Sequence, residues 1–150
     1  MVQIDTLYDW LMKIVGMTSD VAYELDELVP DVKLCSSPQA LWAYSGIDHR
    51  ERAPDYDPKL TAAVYEFFDG LRALPQPVAG SLYDRIFDLS YRQNVGNDVP
   101  VDKSIIRARR KAAQVFLGHV WEAAFRIETD KAPIVQFNRS ISPEVPYPDV

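Results

Sequence analysis

The sequence predicts an all-α fold, and three observations lead to it. The apolar runs follow the 3.6-residue period of a helix. Helix boundaries are marked by capping residues followed by proline, as at Ser37-Pro38 and Asp57-Pro58. No segment shows the strict alternation of apolar and polar residues that is typical of a half-buried strand. At 150 residues the chain has the length of one domain. We therefore expect about six helices within residues 1–131, followed by an extended proline-rich tail over residues 132–150.

The first half of the chain predicts three short helices. The apolar residues of 4–15 form one helical stripe, and a second stripe over 20–29 is stopped by Pro30. A third helix should begin at Pro38, after Ser37 as its N-cap, and end at Gly46. Residues 47–57 are polar and are predicted to form a loop.

The second half predicts three longer helices. The fourth should begin at Pro58 and end before Pro75, the fifth should span about 79–93, and the sixth about 102–127. We expect an apolar set on the fifth helix of Leu82, Ile86, Leu89 and Tyr91. The residues of the sixth helix expected to face inward are Ile105, Ile106, Ala112, Ala113, Phe116, Val120, Ala123 and Ala124. Large apolar residues from several helices should anchor the core: Trp10, Leu25, Trp42, Phe67, Phe116 and Trp121.

The composition bounds the kind of protein. Hydrophobic residues make up 47% and charged residues 25%, which excludes a wholly disordered chain. No run approaches the roughly 20 apolar residues of a membrane span, and no secretory signal is visible, so we expect no membrane association. The single cysteine, Cys35, cannot form an internal disulfide, so the cytoplasm is the simplest location. One cysteine and two histidines at unrelated positions predict no metal site, and we expect no cofactor.

The charges are distributed unevenly along the chain. The formal net charge is −6, yet residues 1–70 hold 13 acids and 5 bases, whereas residues 71–150 hold 9 acids and 11 bases. An acidic protein binds nucleic acid poorly in general, because most of that affinity comes from neutralising phosphates. Any contact with nucleic acid should therefore be local and lie in the second half.

A basic stripe is the strongest functional signal of that half. Lys103, Arg107, Arg110 and Lys111 are spaced by four, three and one residues, which places them on one face of the sixth helix. Such a stripe suits a phosphate backbone, and Arg92 could extend it. The alternative is a solvated face whose charges pair with acids such as Asp84, Asp88 or Asp102.

The turn between the first two helices has the pattern of a helix-hairpin-helix. Gly16 allows a backbone turn with positive φ, and the small Ala22 allows the two helices to approach closely. Such hairpins often hold phosphates with backbone N–H groups at the start of the second helix, which here includes Thr18. Acids surround this turn, however, and favour the alternative of a hairpin kept for folding or for contact with a protein: Asp20, Glu24, Asp26 and Glu27.

The segment from Leu11 to Ile47 resembles the helix-hairpin-helix region of RNA-guided insertion-sequence transposases of the bridge-recombinase type. The resemblance is carried by Val15-Gly16-Met17-Thr18, Cys35-Ser36-Ser37 and the run Leu41-Trp42-Ala43-Tyr44-Ser45-Gly46-Ile47. The Arg-rich segment 107–121 is similar to the basic helix that follows in those enzymes, and to short phage-type proteins with the same segment.

The resemblance does not extend to the catalytic parts of that family. The second glycine of the turn is replaced by Thr18, the carboxylate-bearing nuclease domain is absent, and residues 49–54 lack the expected serine. His119 has no nucleophile or carboxylate at a companion spacing and is better explained as a packed side chain. These features predict a non-catalytic accessory protein of a phage or mobile element that binds nucleic acid weakly. The alternative is a protein-interaction module or inhibitor that uses the acidic N-terminal half and the tail.

Overall fold

A computed structural model describes residues 6–14, 16–31, 37–47, 58–72 and 82–129 of the chain. They form six α-helices: α1 (Leu7–Leu11), α2 (Ser19–Leu28), α3 (Pro38–Ser45), α4 (Pro58–Arg72), α5 (Leu82–Gly96) and α6 (Val101–Thr129). No strand occurs among these residues, so the predicted all-α fold is confirmed. None of the helices they form is long and apolar enough to cross a membrane. The predicted tail over 132–150, the loop residues 48–57 and Cys35 lie outside the described residues.

Hydroxyl side chains begin the first three helices. Thr6, Thr18 and Ser37 accept hydrogen bonds from the backbone N–H groups three residues ahead, at distances of 3.1, 3.4 and 3.1 Å. Such caps satisfy N–H groups that have no partner within the helix. Gly46 follows α3 with a φ of 76°, a left-handed conformation that glycine adopts without strain. Both predicted ends of α3 are therefore confirmed.

α1 is shorter than predicted, because the chain reverses direction between α1 and α2. The helix ends at Leu11, and two tighter turns follow, in which the N–H groups of Lys13 and Ile14 donate to carbonyls three residues back. Gly16 then takes a φ of 88°. The fully buried Ala22 lies just past the turn, and α1 packs against α2. This geometry agrees with the predicted hairpin.

The second half of α6 lies at the centre of the molecule. Every residue from Phe116 to Ala124 is buried, and α6 contacts α1, α3, α4 and α5. Phe116 joins Phe67, Phe68 and Tyr83 in an aromatic cluster with ring centroids 5.1–6.2 Å apart. Of the predicted core anchors, Trp10, Leu25, Phe67, Phe116 and Trp121 are buried. Trp42 is only half-buried and packs against the core edge, where its Nε1 donates to the carbonyl of Gln114 at 2.9 Å.

The prediction for α6 is wrong at Ile105 and Ile106, which are 44% and 56% exposed. It is confirmed at the other six positions, which are buried: Ala112, Ala113, Phe116, Val120, Ala123 and Ala124. In the first half of the helix, Ser104, Ala108 and Ala112 form a buried row. This row of small residues faces the element against which α6 packs most extensively, which is α5. Close packing of two helix backbones requires small side chains, and the larger isoleucines point elsewhere.

The predicted apolar set of α5 needs a similar correction. Leu89 is 68% exposed, and Ile86 and Tyr91 are half-buried. Among the side chains of α5 that the structure describes, the buried one is Tyr83, at 1% exposure, whereas the predicted set had Tyr91. The side chain of Leu82 lies outside the described residues.

Candidate nucleic-acid interface

A groove of about 780 Å³ lies between α5 and the first half of α6. α6 contributes the cations of Arg107, Arg110 and Lys111 to its wall. Both helices contribute polar and apolar groups as well: Ile86, Leu89, Ser90, Gln93 and Asn94 from α5, and Gln114 from α6.

Helical periodicity explains why these residues line one groove. On α6, Arg107, Arg110, Lys111 and Gln114 recur at spacings of three, one and three, so they share one face. On α5, the lining residues within 86–94 recur with the same helical spacing. The row of small residues brings the two helices together, and each helix presents one polar face beside the line of contact.

The cations of the groove lie in no ion pair with any residue that the structure describes. Within the described parts of the chain, neither Arg107, Arg110 nor Lys111 lies in an ion pair, and the same holds for Lys103. Arg107 instead approaches the side-chain oxygen of Asn94 at 3.4 Å. The Asn94 nitrogen donates to the carbonyl of Ser90 at 2.7 Å, which fixes the orientation of the amide. Asn94 therefore positions Arg107 across the groove and leaves its positive charge uncompensated.

Two other arginines, Arg92 of α5 and Arg109 of α6, do form ion pairs. Arg109 lies 3.1 Å from a carboxylate oxygen of Asp69, and its guanidinium lies 4.0 Å from the centre of the Tyr65 ring. Arg92 approaches Asp88 on the same helix at 3.8 Å, with both side chains largely exposed. Arg92 does not belong to the groove lining. The predicted alternative of pairing with acids thus describes Arg92 and Arg109, but not the groove cations.

The remaining predicted site residues lie outside the groove lining. Lys103 precedes Arg107 by one helical turn on the same face of α6 and is exposed. Gly16 and Thr18 belong to the hairpin between α1 and α2. The groove therefore unites Arg107, Arg110 and Lys111, and only Lys103 continues their stripe.

The hairpin turn presents an acidic environment. The hydroxyl of Thr18 already caps α2 by accepting from Val21, and Asp20 lies in the first turn of that helix. Further along α2, burial together with the negative charges of Asp9 and Glu27 raises the pKa of Asp26. A phosphate at this end of α2 would meet carboxylates rather than cations.

His119 lies inside the core. It is fully buried, and its Nδ1 lies 2.9 Å from the hydroxyl of Tyr83. Burial lowers the pKa of His119 to about 4 and raises the pKa of Tyr83 well above its usual value. Both groups are therefore neutral near pH 7, and one hydrogen bond joins the phenol oxygen to Nδ1 of the imidazole. One turn further, Arg126 lies 3.5 Å from the buried Glu122. These groups have no access to a large substrate.

The amides of the groove were missed at the level of sequence. Gln114 continues the spacing of Arg107, Arg110 and Lys111, and Gln93 and Asn94 recur one turn after Ser90 on α5. Extending the basic stripe by one more turn would have found Gln114. The α5 wall could not be found in this way, because its position depends on which face of α5 meets α6.

Comparison with known proteins adds no assignment. No protein-family model matches the chain, and neither a curated protein nor a solved structure matches it. Among the described residues, no group of three or more histidine, cysteine, aspartate or glutamate side chains is arranged to hold a metal ion. The function therefore has to be argued from the groove itself.

Proposed function

We propose that this protein binds nucleic acid through the groove between α5 and α6. The observation that carries the proposal is the convergence of Arg107, Arg110 and Lys111 on one wall, without an ion-pair partner in the described parts of the chain. Cations held near one another repel, and an anionic ligand relieves that repulsion. Arginine binds phosphate with two parallel donors, which makes a pair of arginines well suited to a phosphate backbone.

The contrast with Arg92 and Arg109 strengthens this argument. Arg92 lies beside an acid, and Arg109 lies beside an acid and an aromatic ring, so these two arginines have a structural role. In the described parts of the chain, Arg107, Arg110 and Lys111 lie in no ion pair. Lys103, one turn away on the same face, would prolong the contact along a strand.

The binding should be local and weak, because the chain as a whole is acidic at −6. We propose a non-catalytic role, since the buried His119 cannot reach a substrate in the groove. The assignment to a phage or mobile element is supported only by the resemblance to the transposase hairpin and basic helix. The accessory role is proposed on the same ground.

Charge reversal tests the proposal. The double variant R107E/R110E should abolish binding to labelled nucleic acid in a gel shift performed at two salt concentrations. The single reversal R107E should also weaken binding strongly. The matched reversal R92E changes an arginine of α5 that lies outside the groove, so it should have a much smaller effect. Circular dichroism should show that R92E and R107E retain the fold, because exposed positions tolerate such changes within about 0.5 kcal/mol. The same measurement checks the fold of the double variant, in which Arg110 is half-buried. Full binding by a folded double variant would remove the groove from the site.

A second candidate is a module that binds a basic partner protein through α2. Asp20, Glu24, Asp26 and Glu27 of that helix are exposed. Burial raises the pKa of Asp26, and repulsion from Asp9 and Glu27 raises it further. A positively charged partner would relieve this repulsion. If no nucleic acid shifts the protein at either salt concentration, this second function becomes the better explanation.

A further inference from the structure

The groove combines three kinds of surface that a simple phosphate site would not need. Beside the cations of Arg107 and Lys111 lie the primary amides of Gln93 and Gln114 and the aliphatic side chain of Leu89. Leu89 is 68% exposed, which leaves a large apolar side chain open to solvent within a charged groove. A ligand that uses all three surfaces must carry a negative charge, hydrogen-bonding edges and an apolar face.

We infer that the groove binds an unpaired nucleic-acid strand, with a phosphate against the α6 cations and one base between Gln93, Gln114 and Leu89. This inference rests on the proposed function and specifies its ligand. A nucleobase has hydrogen-bonding groups on its edge and apolar faces above and below its plane. In a duplex those faces are stacked on neighbouring bases, so only an unstacked base can place a face against Leu89.

The size of the groove agrees with a single base and its sugar-phosphate. A volume of about 780 Å³ lies within the range of sites that enclose small ligands, roughly 300–1,000 Å³.

The amides have hydrogen-bonding capacity available for a base. In the described parts of the chain, the side-chain amides of Gln93 and Gln114 form no hydrogen bond, in contrast to the amide of Asn94, which holds Arg107. A glutamine amide offers one acceptor and one donor side by side, which matches N6 and N7 of adenine. Leu89 supplies an apolar contact for the base face, as apolar side chains do for unstacked bases elsewhere.

Fluorescence anisotropy with short labelled oligonucleotides tests the inference. The probes are oligo-dA, oligo-dT, their RNA counterparts and the dA·dT duplex, each measured at two salt concentrations. We expect single strands to bind more tightly than the duplex. We also expect adenine to be preferred over thymine by about fivefold or more, the lower end of the range for one bidentate amide–base pair.

The double variant Q93A/Q114A separates the role of the amides from that of the charges. It should remove the preference for adenine while leaving the salt dependence unchanged, because no charge is lost. Q39A, a matched change at an exposed glutamine of α3, should leave both properties as they are. Comparison of the DNA and RNA probes shows which of the two strands is the better ligand.

The possible failures are distinguishable. If no probe binds, the proposed function itself fails and this inference falls with it. The inference alone is overturned, with nucleic-acid binding intact, by any of three results. These are a duplex that binds as tightly as the single strands, equal affinity for adenine and thymine, or an adenine preference that survives in the folded Q93A/Q114A variant.

Discussion

The hydrogen bond between Tyr83 and His119 shows how one buried pair affects the response of the fold to pH. The imidazole is neutral in the folded protein, because burial lowers the pKa of His119 from 6.5 to about 4. In the unfolded chain the same ring takes up a proton near its ordinary pKa. As the pH falls below 6.5, the unfolded state binds a proton that the folded state does not, and unfolding is favoured. The loss levels off below about pH 4, where both states are protonated.

Replacing His119 with glutamine should remove this contribution to acid sensitivity. We expect the stability advantage of the unmodified protein over H119Q to fall by roughly 2 kcal/mol between pH 7 and pH 4.5. Urea unfolding of both proteins across that range measures the difference, and the shared carboxylates cancel in the comparison. A difference that does not change with pH would mean that the pKa of His119 is not lowered in the folded protein.

Trp42 connects α3 to α6 through a single indole N–H. Because the ring is half-buried, W42A should cost about 2–3 kcal/mol, less than a fully buried tryptophan would. W42F keeps most of the ring and removes the donor to Gln114, which should cost about 1 kcal/mol. Thermal unfolding of the two variants separates the packing from the hydrogen bond. Equal losses in both would assign the whole effect to the hydrogen bond.

At the scale of the element, α6 consists of two halves with different surroundings. Its first half buries only small side chains, whereas every residue from Phe116 to Ala124 in its second half is buried. A large apolar side chain should therefore contribute little to stability in the first half of α6 and much more in the second half. I106A, at a side chain that is 56% exposed, should change stability by no more than about 0.5 kcal/mol. L117A, at a fully buried side chain, should cost about 2–5 kcal/mol.

Chemical denaturation of I106A and L117A gives the test. A loss in I106A comparable to that in L117A would show that Ile106 is covered in solution. In that case the outward face of α6 would have to belong to an interface.

The sequence predicts the helices well where local chemistry decides them. Ser37, Pro38 and Gly46 carry the information for both ends of α3 in their own side chains and backbone preferences. The orientation of α6 is different, because Ile105 and Ala108 are both acceptable inward residues by period alone. Which of them faces a neighbour depends on how closely α5 approaches.

The same distinction applies to the candidate site. The groove cations could be found as a stripe on one helix, because their spacing is local to α6. Gln93 and Leu89 join them only through the packing of α5 on α6, which no pattern within α5 specifies. Sequence therefore predicts the charged wall of the groove, and the fold supplies the opposite wall.

For the whole molecule, the balance of charge should limit the strength of the proposed binding. The groove is positive, but the exposed acids of α2 contribute to an overall charge of −6 and repel a polyanion. Neutralising two of them in E24Q/E27Q should raise the affinity for nucleic acid at low salt. The gain should fade at higher salt, because the Debye length shortens to about 10 Å at 0.1 M. Anisotropy titrations at several salt concentrations give the measurement, and an unchanged affinity at low salt would show that α2 lies too far from the ligand path to matter.

Because α6 is one continuous helix, it joins a part of the protein that should unfold locally to a part that should unfold only with the whole fold. Its 29 residues form one helix. The turns of its first half are held mainly by α5, and the turns of its second half run through the core. Backbone amides near Lys103 to Arg110 should therefore exchange with deuterium through local fraying, while those near Phe116 to Ala124 should exchange only when the whole fold unfolds. A nucleic-acid strand bound in the groove would slow exchange in the first half of α6 before the second half, because ligands stabilise the states that they bind. Hydrogen exchange measured with and without nucleic acid would then map the occupied part of α6 residue by residue, and uniform protection along the helix would show that its two halves open together.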